Sequence, residues 1–328
     1  MNAIFDAPHF QNDEAARAYL EGILWPDGPV CPHCGVINHA YATKRPGVFR
    51  CAEAACRKDF TVTMRTVMER SKIALHKWLQ AFHLMCSSKK GVSAHQLHRT
   101  LGIGYEAAWF MAHRIREAMR DGGLNPLGGN GGIVEADETY HGNIDEPKRP
   151  KTRTSGQPFL KKGKHGPSGK RPILSLVERG GRVRSFHIPT ADQATVEKIV
   201  KENIARESKL HTDESRLYAN AEDFFDEHET VKHSADEYVR TKFTWGKDGP
   251  KTEKVHTNNV ENFFGVFKRG MKGTYIHCGE QHLQRYLNEF AFRYTYRSGL
   301  GYSDGERTAL AMKGIEGKRL TYRISNAR

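Results

Sequence analysis

The residues most suited to take part in a chemical reaction are acids that end apolar stretches. Asp137 ends a run that begins at Ile133, and Asp213 ends a shorter run that begins at Leu210. A carboxylate at the end of a buried strand is costly unless a cation neutralises it. If the two strands are neighbours in a sheet, Asp137 and Asp213 can therefore share a metal ion.

A third polar element, His256–Glu261, opens a predicted helix. Glu261 and Lys268 are seven residues apart in it, so both lie on one side of that helix. Phosphodiester cleavage with magnesium needs hard oxygen ligands and a template for in-line attack by a hydroxyl group. Asp137, Asp213 and Glu261 would supply those ligands.

The same residues also have a plainer interpretation. Asn258 or Asn259 would cap the helix, and Glu261 would interact favourably with its N-terminal dipole. Each acid taken alone fits this interpretation as well as the catalytic one. Taken together with the charge of the chain and its cysteines, the acids favour a catalytic magnesium site.

Four of the six cysteines form two close pairs. Cys31 and Cys34 make one Cys-x-x-Cys turn, and Cys51 and Cys56 follow after a predicted hairpin. Tetrahedral zinc takes four thiolates from such pairs, so the spacing predicts a structural zinc ribbon. His33 is interpreted as a flanking residue, because four thiolates are already available. The alternative is a set of buried, reduced cysteines.

The charge of the chain indicates its partner. Its 328 residues carry 51 Lys and Arg against 38 Asp and Glu, a formal net charge of +13, and such a field attracts polyanions or anionic membranes. No apolar run approaches the roughly 20 residues that span a bilayer, and the first ten residues do not resemble a signal peptide. We therefore expect a cytoplasmic protein that binds nucleic acid and no membrane.

Residues 71–120 have helical periodicity. One apolar face is expected from Leu75, Trp78, Leu79, Phe82 and Met85. A second helix with Ser93 as its N-cap, a glycine turn and a third helix suit a helix-turn-helix. Its last helix would offer Tyr105, His113, Arg114 and Arg116 to a DNA groove. Helical hairpins of this kind also occur in proteins that never meet DNA.

The chain becomes strand-rich after a glycine-rich stretch. Strands are expected at 132–137, 173–177, 183–188 and 209–213, with a helix at 195–205 before the last of them. Three strands, a helix and a strand are how a ribonuclease H-like sheet begins. The expected fold class is α/β: a ribonuclease H-like catalytic domain with a mixed sheet flanked by helices, preceded by a zinc ribbon and a helix-turn-helix-like region.

The expected domains follow from these patterns. They are an N-terminal helix and zinc ribbon at 1–66, a helical DNA-binding region at 67–121, a linker at 122–132, and a catalytic domain at 133–328 with a basic insertion at 145–171. Within that insertion, residues 148–171 hold nine Lys or Arg and no acid. Such a segment can hold a duplex backbone, although a merely solvated loop is the alternative.

Longer strings of residues carry a family resemblance. They are Tyr19–Gly35, Glu135–Tyr140, His211–Asp213, His256–Glu261, Lys268–Tyr275 and Leu283–Tyr294. Across nearly the whole chain these strings resemble insertion-sequence transposases of the IS1595 group, the ISXO2-like transposases. Phe263-Phe264 departs from the pattern, in which a tryptophan is expected, but this departure concerns no catalytic position.

The resemblance implies a DNA transposase that binds the ends of an insertion sequence and catalyses metal-dependent cleavage and strand transfer. Asp137 and Asp213 correspond to the first two magnesium ligands. The third is either Asn258, because the family often has asparagine there, or Glu261, because it has the spacing to Lys268 of acidic-triad transposases. Lys268 would contact a phosphate near the cleavage site. The implied partners are double-stranded DNA, as element end and as target, and further copies of the chain.

Two other functions are compatible with parts of the sequence. A non-catalytic regulator with a zinc ribbon and a helix-turn-helix would bind DNA, but it leaves Asp137 and Asp213 unexplained. A ribonuclease H-like nuclease would cut without joining, and it would use the same ligands as a transposase because only the attacking hydroxyl differs.

Overall fold

The computed structural model describes residues 4–123, 125–144, 169–246 and 249–321. Within these ranges the α-helices are α1 (Asp13–Leu24), α2 (Leu75–Ser87), α3 (Ala94–Leu101), α4 (Tyr105–Ala118), α5 (Gln193–Asn203), α6 (Asn258–Gly270), α7 (Leu283–Thr295) and α8 (Asp304–Lys313). The strands are β1 (Ala40–Ala42), β2 (Phe49–Cys51), β3 (Asp59–Phe60), β4 (Ile133–Asn143), β5 (Lys170–Glu178), β6 (Val183–His187), β7 (Lys209–Asp213), β8 (Glu227–Val231), β9 (Arg240–Gly246) and β10 (Gly249–Val255). No helix in the described ranges is long and apolar enough to cross a membrane.

The chain packs as two compact units, one of residues 1–121 with 296–328 and one of residues 122–295. The catalytic domain was expected to run from 133 to 328, whereas the structure places 296–321 in the first unit. The physical reason is that α8 docks on α2. In that contact the Arg307 guanidinium donates to the Cys86 carbonyl at 2.9 Å and to the Tyr296 carbonyl at 2.8 Å.

The helical part of the first unit has the expected apolar face. Trp78, Leu79, Phe82 and Met85 on α2 are all buried. Ser93 caps α3 as expected, its hydroxyl accepting the Gln96 N–H at 3.1 Å. Helices α3 and α4 are joined by a short glycine-containing turn, so the helical hairpin itself is confirmed.

The prediction that four residues of α4 face DNA is wrong for three of them. His113, Arg114 and Arg116 are buried, and Tyr105 alone of the four is exposed. Arg114 donates to the Glu69 carbonyl at 2.7 Å and lies over aromatic rings of its own unit. Arginine near the end of a helix can bury its long stem against such rings, and helical periodicity alone does not reveal this.

The glycine-rich stretch at 122–132 is not a free linker where it is described. Leu127 is fully buried, its N–H donates to the Asn203 carbonyl at 2.8 Å, and its carbonyl accepts the Ala205 N–H at 2.9 Å. Gly128 has a positive φ and lies so close to Ser208 that a Cβ would clash with it. The glycines thus allow this stretch to pack closely within the second unit.

A mixed five-stranded sheet forms the centre of the second unit, in the order β6-β5-β4-β7-β8. The first three strands are an antiparallel meander, β7 runs parallel to β4, and β8 runs parallel to β7. The expected strands and crossover helix are present, and β4 and β5 extend beyond the predicted bounds. Residues 145–168 of the expected basic insertion lie outside the described residues.

Helices cover both faces of this sheet. One face packs Val134, Leu174 and Leu210 against Val196 and Val200 of α5. The opposite face is covered by α6 and α7, whose apolar stripes pack on Ile173, Val177 and Val183. Because side chains alternate along a strand, the odd-numbered residues of β4 share the face that α6 covers.

Candidate active site and zinc centre

The acidic site begins on the central strand, β4. The parallel pairing of β4 with β7 sets Glu135 opposite His211. Asp137 and Asp213 each lie two residues beyond that pair, and Asp213 ends β7. The two aspartates that the sequence singled out therefore follow the same end of the pairing between adjacent parallel strands, and the charge of Asp213 acts on Asp137.

Among the carboxyl groups of the site, Asp137 has the most strongly shifted pKa. Burial raises its pKa to about 8, helped by the negative charges of Asp213, Glu138 and Glu261 and opposed by a hydrogen bond from the Glu138 N–H. That N–H donates to Asp137 Oδ1 at 2.7 Å. The neighbouring negative charges thus act, together with burial, to disfavour the ionised form of Asp137.

Glu138 extends the cluster on the other face of β4. It accepts a hydrogen bond from the hydroxyl of Tyr218, a buried residue in the α5 core. Burial raises the pKa of Glu138 to about 7, the Tyr218 hydrogen bond lowers it, and the charge of Asp213 raises it further. Sequence reasoning gave Glu138 no role. The available signal was its position directly after Asp137, in the group of acids that follows the apolar start of the strand.

The third candidates lie in the first turn of α6. Asn258 is its first residue and is exposed, with its N–H directed to His256 Nδ1 at 3.3 Å. Glu261 is also exposed; its Oε1 accepts from the Thr257 hydroxyl at 3.1 Å and lies 3.4 Å from His233 Nε2. The charge of Glu261 contributes to the raised pKa of Asp137, so its side chain belongs to the same electrostatic cluster.

Lys268 lies two turns farther along α6, beside a group of basic residues. Burial lowers the pKa of His141, and the charges of Arg171, Lys268 and Lys170 lower it further. His141 is four residues beyond Asp137 on the same strand and therefore on the same face. Lys268 is thus one of several cations near the end of β4 and the start of β5, the two strands that flank the expected basic insertion.

The four paired cysteines come together in the first unit. The Sγ atoms of Cys31 and Cys56 are 3.8 Å apart, those of Cys34 and Cys51 are 3.6 Å apart, and all four lie within 4.8 Å of one another. Zinc–sulfur bonds of about 2.3 Å in a tetrahedron require sulfur atoms about 3.8 Å apart, so the donor set fits zinc. Among the described residues this is the one group of three or more metal-binding side chains that converges so closely.

Backbone geometry supports the thiolate form of one cysteine. Burial acts to raise the pKa of Cys31, but N–H groups of His33 and Cys34 donate to its sulfur and lower it to about 7. Gly35 takes the positive φ of 78° that the knuckle turn requires. The His33 ring lies 3.4 Å from the Asp59 carbonyl and outside the sulfur cluster, as a flanking residue should.

Comparison with known proteins finds a match to two domain families in this chain. The ISXO2-like transposase domain family matches residues 129–295, which is half of the chain and contains the whole acidic cluster. The chain belongs to the ISXO2-like transposase family. A transposase zinc-ribbon domain matches residues 11–59, which include all four clustered cysteines.

A relative from a transposable element points the same way. The chain is similar to an uncharacterized protein in the transposable element ISH50 of Halobacterium salinarum. The two are 25% identical over 295 residues, covering 87% of this chain and 91% of the relative. The similarity therefore extends over both compact units and is not confined to the transposase domain.

Proposed function

We propose that this protein is a DNA transposase that cuts the ends of an insertion sequence and joins them to target DNA in a magnesium-dependent reaction. The observation that carries the proposal is the acidic cluster around Asp137, built on the domain that defines its family. The strand order, with one antiparallel strand beside four that run the same way, supports a ribonuclease H-like sheet for that domain.

The residues fit magnesium by their chemistry. Asp137 and Asp213 offer hard carboxylate oxygens from adjacent strands, and either Glu261 or Asn258 would add a third oxygen from α6. Bound magnesium would activate the attacking hydroxyl and stabilise charge on the scissile phosphate. The protein's own part is to hold these oxygens in place and, through Lys268 and neighbouring cations, to bind the phosphate backbone.

Structural zinc is the second part of the proposal. Cys31, Cys34, Cys51 and Cys56 would hold one ion that stabilises the N-terminal ribbon, with no place left open for a reacting molecule. Double-stranded DNA is the proposed partner, since the formal charge of +13 favours it. Bringing two element ends together would require more than one copy of the chain.

Cleavage of a labelled duplex that carries an inverted repeat from the flanks of the gene tests this function. With magnesium, the intact chain should nick that duplex and join it to a second DNA, and Asp137→Asn or Asp213→Asn should abolish both reactions. Asp223→Asn, which removes an exposed acid of the same unit, is the matched control. All variants should bind the duplex equally, because affinity comes from the basic surface.

Each contrary result has its own meaning. Full cleavage by Asp137→Asn would refute the mechanism, and binding without any cleavage would favour a regulator. Cleavage without joining would identify a nuclease.

A further inference from the structure

Glu135 is a fully buried carboxylate two residues before Asp137 on β4. Acids are rarely buried to this extent unless they are paired. Its Oε1 accepts hydrogen bonds from Arg179, with Nε at 3.2 Å and Nη2 at 2.9 Å, and from the Asn259 amide Nδ2 at 2.7 Å. The charge of Glu135 is thus balanced by an arginine, and Oε1 is surrounded by donors.

The other oxygen of Glu135 caps α6. Oε2 accepts the backbone N–H of Asn259 at 2.8 Å and that of Val260 at 3.2 Å. The first N–H groups of a helix have no partner within it, and the residue before the helix usually supplies one. Here Thr257 makes no such bond to a helix N–H, and its hydroxyl donates to Glu261. A distant strand supplies the cap that the local sequence lacks.

Arg179 extends this connection to the segment that leads into the helix. Its Nη1 donates to the Lys254 carbonyl at 2.8 Å, and its Nη2 lies 3.4 Å from the His256 carbonyl. The Glu135–Arg179 pair therefore binds the end of β10, the turn after it and the first turn of α6 to the central strand. All of these groups belong to one compact unit.

Through these hydrogen bonds, only a few residues of β4 and α6 separate Asp137 from Glu261. Glu135 and Asp137 share a face of β4 and are about 6.6 Å apart along the strand. Asn259 and Glu261 are about 3 Å apart along α6. We infer that Glu135 is a positioning residue: it fixes the N-terminus of α6, and with it Glu261 and Asn258, relative to Asp137. The inference rests on the proposed function, because it concerns how the ligands of that reaction are held together.

A second carboxylate of the same unit serves as a matched comparison. Glu178, at the end of β5, pairs with the Arg182 guanidinium at 3.2 Å and accepts the Gly128 N–H at 3.1 Å. It has the same kind of partners as Glu135, but its bonds go to the segment before β4 and none of those described reaches α6. A residue that is merely structural should behave like Glu178.

The test compares Glu135→Asp with Glu178→Asp. Each keeps the negative charge for its arginine and withdraws the carboxylate by one methylene, so that the shorter side chain of the first variant can no longer reach both helix amides. Hydrogen–deuterium exchange of peptides covering residues 255–264 should become faster in Glu135→Asp and stay unchanged in Glu178→Asp. Cleavage by Glu135→Asp should fall by up to about 100-fold, as for a small misplacement of reacting groups, with unchanged DNA affinity and a higher magnesium requirement.

The outcomes separate the two proposals. Unchanged exchange in Glu135→Asp, or an equal loss of cleavage in both variants, would overturn the positioning role. If the intact chain does not cleave DNA, the proposed function fails while the exchange experiment still decides whether Glu135 holds α6. Should Glu135→Asp not fold, Asn259→Ala removes one donor to the same carboxylate and should change exchange and cleavage in the same direction.

Discussion

Asp137 on β4 and Asp213 on β7 each lie two residues beyond the last paired residues of these parallel strands, and the charge of Asp213 is one reason why the pKa of Asp137 is raised to about 8. Burial is the larger reason. Asp137 therefore resists ionisation in the absence of a cation. This relationship predicts that the stability of the protein depends on pH.

The first prediction concerns that pH dependence. Asp137 titrates near 4 when unfolded and at about 8 when folded, so the folded chain binds more protons between these values. Without added magnesium, this contribution to stability is complete below pH 4 and is lost as the pH rises through 8. At pH 8 the variant Asp137→Asn should therefore melt at least about 2 °C above the wild type, with a smaller difference at about pH 5.

Thermal unfolding monitored by circular dichroism at both pH values checks this prediction. Asp223→Asn, in which an exposed acid is neutralised, should follow the wild type at each pH. If the melting temperature of Asp137→Asn shows the same pH dependence as that of the wild type, the pKa of Asp137 is not raised in the folded chain.

The second prediction decides the third ligand. Glu261→Gln should approach the cleavage defect of Asp137→Asn, because a charged carboxylate binds magnesium more strongly than a neutral amide. Asn258→Ala should cause a smaller loss. The measurement is the cleavage rate with magnesium and again with manganese, a metal with different demands on its ligands.

Asn262→Ala removes another exposed asparagine from the same helix and is the control for Asn258→Ala. A larger defect in Asn258→Ala than in Glu261→Gln would instead assign the third position to asparagine. In that case Glu261 would only interact favourably with the dipole at the N-terminus of α6.

The third prediction is that each chain holds one zinc ion. Cys31→Ser should lose the metal and lower the thermal stability of the protein, because a structural zinc site contributes directly to folding. Cys278→Ser, outside the sulfur cluster, should keep a full equivalent. Mass-spectrometric metal analysis of the purified variants measures this, and full zinc in Cys31→Ser would disprove the assignment.

The fourth prediction concerns the basic segment. Changing Lys161 and Lys162 to glutamine should weaken binding to any duplex and reduce the slope of log affinity against log salt by about 0.9 for each phosphate that is no longer neutralised. Fluorescence anisotropy at several salt concentrations gives that slope. The control changes Lys198 and Lys313, two exposed lysines on α5 and α8, in the same way. Equal slopes in both double variants would identify the segment as a solvated loop.

Much of the site was predictable because its residues break local rules. Asp137 and Asp213 stand out as acids that end apolar strands, and cysteines in two close pairs have the spacing of a zinc site. Strand and helix positions were predictable for a different reason. Periodicity is a local property, so the residues of β7 or α5 alone show which face of that element is buried. The pairing of Asp137 with Asp213 then required only that β4 and β7 be neighbours.

The sequence by itself thus indicated the four cysteines that cluster, the two aspartates as candidate ligands, the strands and helices up to β7, and the family. Only the tertiary structure decided that α8 packs in the first unit, that Arg114 is buried, and that Glu135 caps α6. Those features depend on contacts between residues far apart in the chain: 221 positions separate Arg307 from Cys86, and 124 separate Glu135 from Asn259. Periodicity reports which face of an element is buried, whereas the partner of a buried charge is chosen by the packing of whole elements.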